Sequence, residues 1–112
     1  MNLEHHTSNN IAFVQLPNRI LMADAKAMKK ALHRLLRNQR PRLALDMRQV
    51  EYIDSSGLAV LVSCLQSSRK KSGDVCLFGM RDTVKTLFEL TRLDGVFPIV
   101  ERQQEVIGKL ST

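Results

Sequence analysis

Between Leu43 and Phe78 the chain alternates two kinds of apolar run, and that alternation leaves few folds open. Leu43-Ala44-Leu45-Asp46-Met47 and Val75-Cys76-Leu77-Phe78 are short and almost unbroken by polar residues. Neither shows the polar–apolar alternation of a strand with one wet face, so both read as strands covered on two sides. The run between them differs. Leu58, Leu61, Val62 and Leu65 recur at i, i+3, i+4 and i+7, which is one face of a helix. A strand, a helix and a strand in that order need a crossover, and crossovers join parallel neighbours in layered α/β domains.

The flanking sequence extends the pattern. Asn10 to Leu16 reads as a strand ended by the turn signal Pro17-Asn18. A helix is expected from about Ala23 to Arg37, with Ala27, Ala31, Leu32, Leu35 and Leu36 on its apolar side, broken by Asn38 to Pro41. The central helix should run from about Ser56 to Lys71 and end at the turn Ser72-Gly73-Asp74. Gly79 closes the second apolar strand, and Asp82-Thr83 is placed to cap a third helix carrying Val84, Leu87, Phe88 and Leu90. Phe97-Pro98-Ile99-Val100 fits a short edge strand, where proline is tolerated. A last helix is expected from about Gln103 to Leu110.

All 112 residues are expected to form one domain, with residues 1–9 as a flexible terminus. No run approaches the ~20 apolar residues of a membrane helix, and the first residues lack the basic-then-apolar order of a signal peptide. A cytoplasmic protein without membrane insertion is the expectation. Cys64 and Cys76 lie in apolar segments and read as small core side chains, distant from any histidine at zinc-ligand spacing. His5-His6 belongs to the polar terminus. No metal and no cofactor is expected.

A net charge of +6, from 17 Lys and Arg against 11 Asp and Glu, asks for a test of nucleic-acid binding. Much of the excess sits on one helix-like segment, at Lys26, Lys29, Lys30, His33, Arg34 and Arg37, with a second cluster at Arg69-Lys70-Lys71. Single-strand binding favours aromatic platforms beside the charge, and the chain has four Phe and one Tyr. Zinc-finger, glycine-rich and aromatic RNA-binding signatures are missing, so direct nucleic-acid binding is not expected. A solvated helix face, an acidic protein partner or a membrane surface accounts for the charge equally well.

Ile53-Asp54-Ser55-Ser56-Gly57 joins a strand-like segment to the central helix. Two hydroxyls and a carboxylate therefore sit where free backbone N–H groups emerge. Asp54 or Ser55 suits a simple helix cap, and Gly57 suits close packing. The same place suits a phosphoryl group. In open parallel sheets function gathers beyond the carboxyl ends of the strands, and this junction is at such an end.

With that order of elements the chain resembles the STAS domain, and within it the small bacterial anti-sigma factor antagonists, over about residues 10 to 110. The resemblance rests on Leu45-Asp46-Met47 through Tyr52-Ile53-Asp54-Ser55-Ser56-Gly57-Leu58. A second element is Val84-Lys85-Thr86-Leu87-Phe88-Glu89-Leu90-Thr91 with Leu93 and Val96-Phe97-Pro98-Ile99. It implies an α/β fold in which a mixed, largely parallel sheet of four or five strands is backed by about four helices. It implies a binding protein that is not an enzyme. Its partner would be an anti-sigma factor serine kinase, sequestered while the antagonist is unphosphorylated. The serine after the aspartate, here Ser55, would accept the phosphoryl group and end binding, and a metal-dependent serine phosphatase would restore it. Asp54, Ser55, Ser56, Gly57 and Leu58 would form the partner-binding stretch, with Asp54 orienting the serine or aiding its recognition.

Several positions depart from the family's pattern. Asn18 stands where Gly is frequent after the first long strand, Leu21 where Asp is common, Ala59 where a second Gly follows the serines, and Arg92 where Gly is usual between Thr and Leu. The Gly57-Leu58-Ala59 sequence also fits a different class, an accessory subunit that docks on the ATPase of an ABC-type lipid transporter. An enzyme reading is weak: no histidine stands where it would pair with Ser55, and neither Walker nor dinucleotide fingerprints occur.

Overall fold

The two apolar runs lie side by side as parallel neighbours. In a computed structural model describing residues 1–110, they form β4 (Arg42–Asp46) and β6 (Asp74–Phe78), in register from Arg42 opposite Asp74 to Asp46 opposite Phe78. Around them run β1 (His5–Ser8), β2 (Ile11–Gln15) and β7 (Ile99–Val100), giving a five-stranded sheet of order β1-β2-β4-β6-β7. Only the β1–β2 pair is antiparallel. Four α-helices lie among the described residues: α1 (Met22–Arg34), α2 (Ser55–Lys70), α3 (Asp82–Leu90) and α4 (Val106–Leu110). The fold is therefore α/β: the parallel strands follow from the order of apolar runs, and the antiparallel β1 makes the sheet mixed, as the STAS resemblance implies.

The unbroken apolar character of the strands has a direct cause. Val14, Leu43, Leu45, Val75 and Leu77 point to one face, into a core shared with Met28 and Leu32 of α1, Leu61 and Leu65 of α2, and Phe88 of α3. Ile11, Phe13, Ala44, Cys76 and Phe78 point to the other, packed with Val106 and Leu110 of α4. Cys64 and Cys76 are free and buried, and burial pushes their thiols up to about 12 and about 11. Both stay protonated at neutral pH.

Residues 5–8 are not the flexible terminus expected of them. They pair with β2 through a two-residue hairpin loop, Asn9-Asn10, whose residues both take positive φ (54° and 62°). Asparagine tolerates that conformation, and two such residues in a row make the turn whose twist suits a hairpin. His6 lies opposite Phe13, and the two rings stack with centroids 5.3 Å apart.

Smaller differences follow from local chemistry. α1 stops at Arg34, short of Arg37. The final helix begins only at Val106, after a 3-10 turn over Gln103–Glu105. The cap position of α3 is Arg81, without a side-chain cap bond, and Asp82 falls in the first turn. Asn18 needs no left-handed backbone; its carbonyl accepts the N–H groups of Glu51 and Tyr52 at 2.8 and 3.0 Å. Arg92, by contrast, has φ of 61°, the left-handed backbone that glycine adopts most readily.

Candidate functional site

Two strands escape sequence reading altogether: β3 (Arg19–Ile20) and β5 (Tyr52–Ile53), which pair in parallel as a separate two-stranded sheet. Each is two residues long, too short for any periodicity. Their consequence is large, because β3 leads into α1 and β5 into α2. Parallel neighbours launch their helices side by side, so the amino ends of α1 and α2 meet.

Asp54 holds that meeting point. It is extended (φ −108°, ψ −173°) at the cap position of α2, and its Oδ1 accepts the Gly57 N–H at 3.0 Å. Its Oδ2 accepts the N–H of Met22, first residue of α1, at 3.0 Å. One carboxylate thus caps two helices, one of them through a partner 32 positions away in the chain. Asp24 reinforces α1 by accepting the Leu21 N–H at 2.9 Å and pairing with Arg19 at 3.3 Å. Among the described residues neither oxygen of Asp54 reaches the Ser55 hydroxyl. Both oxygens are engaged by the capping N–H groups.

Gly57 is fixed by packing. A Cβ on it would lie 2.2 Å from the Ile20 carbonyl oxygen and 2.8 Å from Ile53 Cγ1. Only a bare α-carbon lets α2 approach the small sheet this closely. Leu58 is buried as well, against the main core. Gly57 and Leu58 are therefore buried and support the site from beneath. Ser55 is exposed at the first position of α2, and Ser56 is half-buried behind it.

Two large apolar side chains of the same junction are exposed. Met22, whose N–H is tied to Asp54, is 74% exposed, and Tyr52, three residues before Ser55, is 58% exposed. Both are available to a partner that covers the junction. Sequence reading missed Met22 because the helix was expected to begin one residue later, and missed Tyr52 because β5 is too short to show alternation. His33 is nowhere near; its Nε2 lies 3.3 Å from Ser63 Oγ, between α1 and α2.

The electrostatics of the junction give a testable pH dependence. The Gly57 N–H is the main cause holding the Asp54 carboxyl below its ordinary range, partly opposed by burial and helped by the Met22 and Ser56 N–H groups. Asp24 is lowered chiefly by the Leu21 N–H and by Arg19. A carboxylate depressed by folding stabilises the fold above its unfolded pKa, about 3.9, and loses that contribution as pH falls through the lower folded value. Wild type should therefore exceed Asp54→Ala in stability at neutral pH. The gap should narrow on acidification below pH ~4, read by urea denaturation at several pH values. A gap independent of pH would contradict the capping assignment.

The sequence profile of the STAS domain matches residues 2–106. The chain belongs to the STAS domain family. The anti-sigma-B factor antagonist of Listeria monocytogenes is 36% identical to it over 66 residues, 59% of this chain and 58% of that protein. The match thus spans little more than half the length of that relative. A putative anti-sigma factor antagonist from Thermotoga maritima superposes with a TM-score of 0.89 at 23% identity, covering 98% of this chain and 95% of the other. The Bacillus cell fate determinant SpoIIAA in its phosphorylated form superposes with a TM-score of 0.69 at 12% identity, covering 96% and 97%. At those identities the superpositions establish a common STAS fold, and the Listeria and Thermotoga relatives are named as antagonists of anti-sigma factors.

Proposed function

We propose that this STAS protein is an anti-sigma factor antagonist whose contact with an anti-sigma factor serine kinase is switched by phosphorylation of Ser55. The observation that carries the reading is the division of labour at the junction. Asp54 and Gly57 are committed to holding the start of α2 against α1 and β3, while Ser55 is exposed at the first position of α2, at a junction that also exposes Met22 and Tyr52. The named relatives support the antagonist role.

The physics favours a switch of binding over a switch of fold. A phosphate on Ser55 adds about −1.5 to −2 charge near neutral pH. The first position of a helix attracts that charge by roughly 0.3–1 kcal/mol, and the neighbouring Asp54 carboxylate repels it. These terms nearly cancel on an exposed residue, so the free protein tolerates the modification. In a complex that covers Met22 and Tyr52, the same phosphate loses its water. It then becomes a buried charge without a partner, the expensive case. A metal-dependent serine phosphatase completes the cycle by restoring the hydroxyl.

The test is modification by the kinase itself. Incubating the protein with the anti-sigma factor kinase that it captures from its own cells, plus ATP and magnesium, should add one phosphate, mapped to Ser55 by mass spectrometry. Modification at Ser56 instead, or none with a confirmed kinase partner, would count against the assignment. Recovery of an ABC ATPase and its permease in place of a kinase would support the transporter-subunit class.

A further inference from the structure

We propose that the outer face of α1, with the turn that follows it, docks peripherally on an anionic lipid bilayer through lipid phosphates. Between Asp24 and Asp46 the chain carries seven Lys and Arg and no acidic residue. Lys26, Lys29, Lys30 and Arg34 are exposed on α1, opposite the side that buries Met28, Ala31 and Leu32. Arg37, Arg40 and Arg42 continue the array along the turn into β4. The ion pairs of the described residues use Arg19, Arg48, Arg69, Arg81, Lys85 and Arg102. None of the seven is among them. A charge of this density without internal partners is left for something outside the chain.

The turn adds a concave place where cations and hydrogen-bond donors converge. A cavity of about 390 Å³ is lined by Arg37, Asn38, Gln39, Arg40, Lys71 and Ser72. All six side chains can donate hydrogen bonds and none is acidic. The Arg40 N–H donates to the Lys71 carbonyl at 3.0 Å, and Lys71 Nζ donates to the Leu36 carbonyl at 2.6 Å. The two loops are thereby held together, so the cations do not have to be gathered on binding.

The surroundings select the occupant. Protein interfaces are enriched in aromatic residues and arginine and depleted in lysine and alanine. This face is built on lysine, arginine and alanine, and its one exposed large apolar residue, Met22, lies at the far end of α1. Single-stranded nucleic acid needs aromatic platforms, and the one exposed aromatic ring of Phe, Tyr or Trp type, Tyr52, belongs to the Ser55 junction. An anionic bilayer needs only a broad cationic array, each Lys or Arg adding to the attraction within a Debye length. The densest part of the array lies at the carboxyl end of α2, a helix of 16 residues, roughly 24 Å from Ser55 at its start. Membrane contact there leaves the junction open.

Co-sedimentation of the full chain with vesicles of equal parts phosphatidylglycerol and phosphatidylcholine tests this. At low salt the protein should pellet with these vesicles, stay in solution with phosphatidylcholine alone, and be released by raised salt. Lys30→Glu with Arg37→Glu should weaken partitioning at least about tenfold. Lys85→Glu with Arg102→Glu, the same charge change beyond the other ends of the strands, should weaken it far less. Ser55→Asp should pellet like wild type. Wild type remaining in solution, or equal losses from the two double variants, would overturn the proposal. So would a duplex DNA fragment that binds tightly to wild type and strips it from the vesicles, since nucleic acid would then be the occupant.

Discussion

Gly57→Ala should unfold this protein at markedly lower denaturant, although alanine is the better helix former. Helix propensity alone favours the change by about 1 kcal/mol. Against it stands a methyl group placed 2.2 Å from the Ile20 carbonyl oxygen and 2.8 Å from Ile53 Cγ1. The first of these is backbone and cannot rotate away. Overpacking of this kind costs typically 1–3 kcal/mol and sometimes more; with a backbone atom as the obstacle, the upper end applies. Relief would require α2 to lift from β3, which would stretch the bond from Asp54 to the Met22 N–H as well. The expected net loss is about 2 kcal/mol or more, measured by urea denaturation. A variant as stable as wild type would mean that α2 does not sit this close to β3.

The α/β architecture was legible because its causes are local. β4 and β6 are unbroken apolar runs, since Leu43, Leu45, Val75 and Leu77 serve one core and Ala44, Cys76 and Phe78 the other. The period of Leu58, Leu61 and Leu65 marks α2 for the same reason. β1 was not legible, because all four of its residues are exposed and carry no apolar pattern. Its signal was the Asn9-Asn10 pair, a two-residue hairpin loop.

The junction was legible in part. Asp54, Ser55, Ser56 and Gly57 announce a helix start, and Asp54 proves to be its cap. Nothing in the neighbouring sequence says that the same carboxylate also caps α1, since that bond depends on β3 pairing with β5. The exposed flank of Met22 and Tyr52 was hidden for the same reason. Residues that look alike on paper divide by burial into a support, Gly57 and Leu58, and an accessible edge, Ser55 and Ser56.

The phospho-switch makes the second large prediction. Moving a complex from almost fully bound to almost fully free takes about 5.5 kcal/mol of differential affinity. A dianion left unpaired in a covered interface supplies most of that. Aspartate carries about half the charge, so Ser55→Asp should weaken binding about hundredfold or more, and raised salt should not restore it, because a desolvated contact is poorly screened. The free protein should hardly notice, with unfolding shifted by no more than about 1 kcal/mol. That contrast separates a switch from a structural serine, whose replacement would damage fold and binding together.

Isothermal titration calorimetry of the anti-sigma factor kinase against wild type and Ser55→Asp, at low and high salt, measures the contrast directly. The switch predicts a tight wild-type complex and a variant weakened about hundredfold at both salt concentrations, with its fold intact. A Ser55→Asp complex as tight as wild type would contradict it.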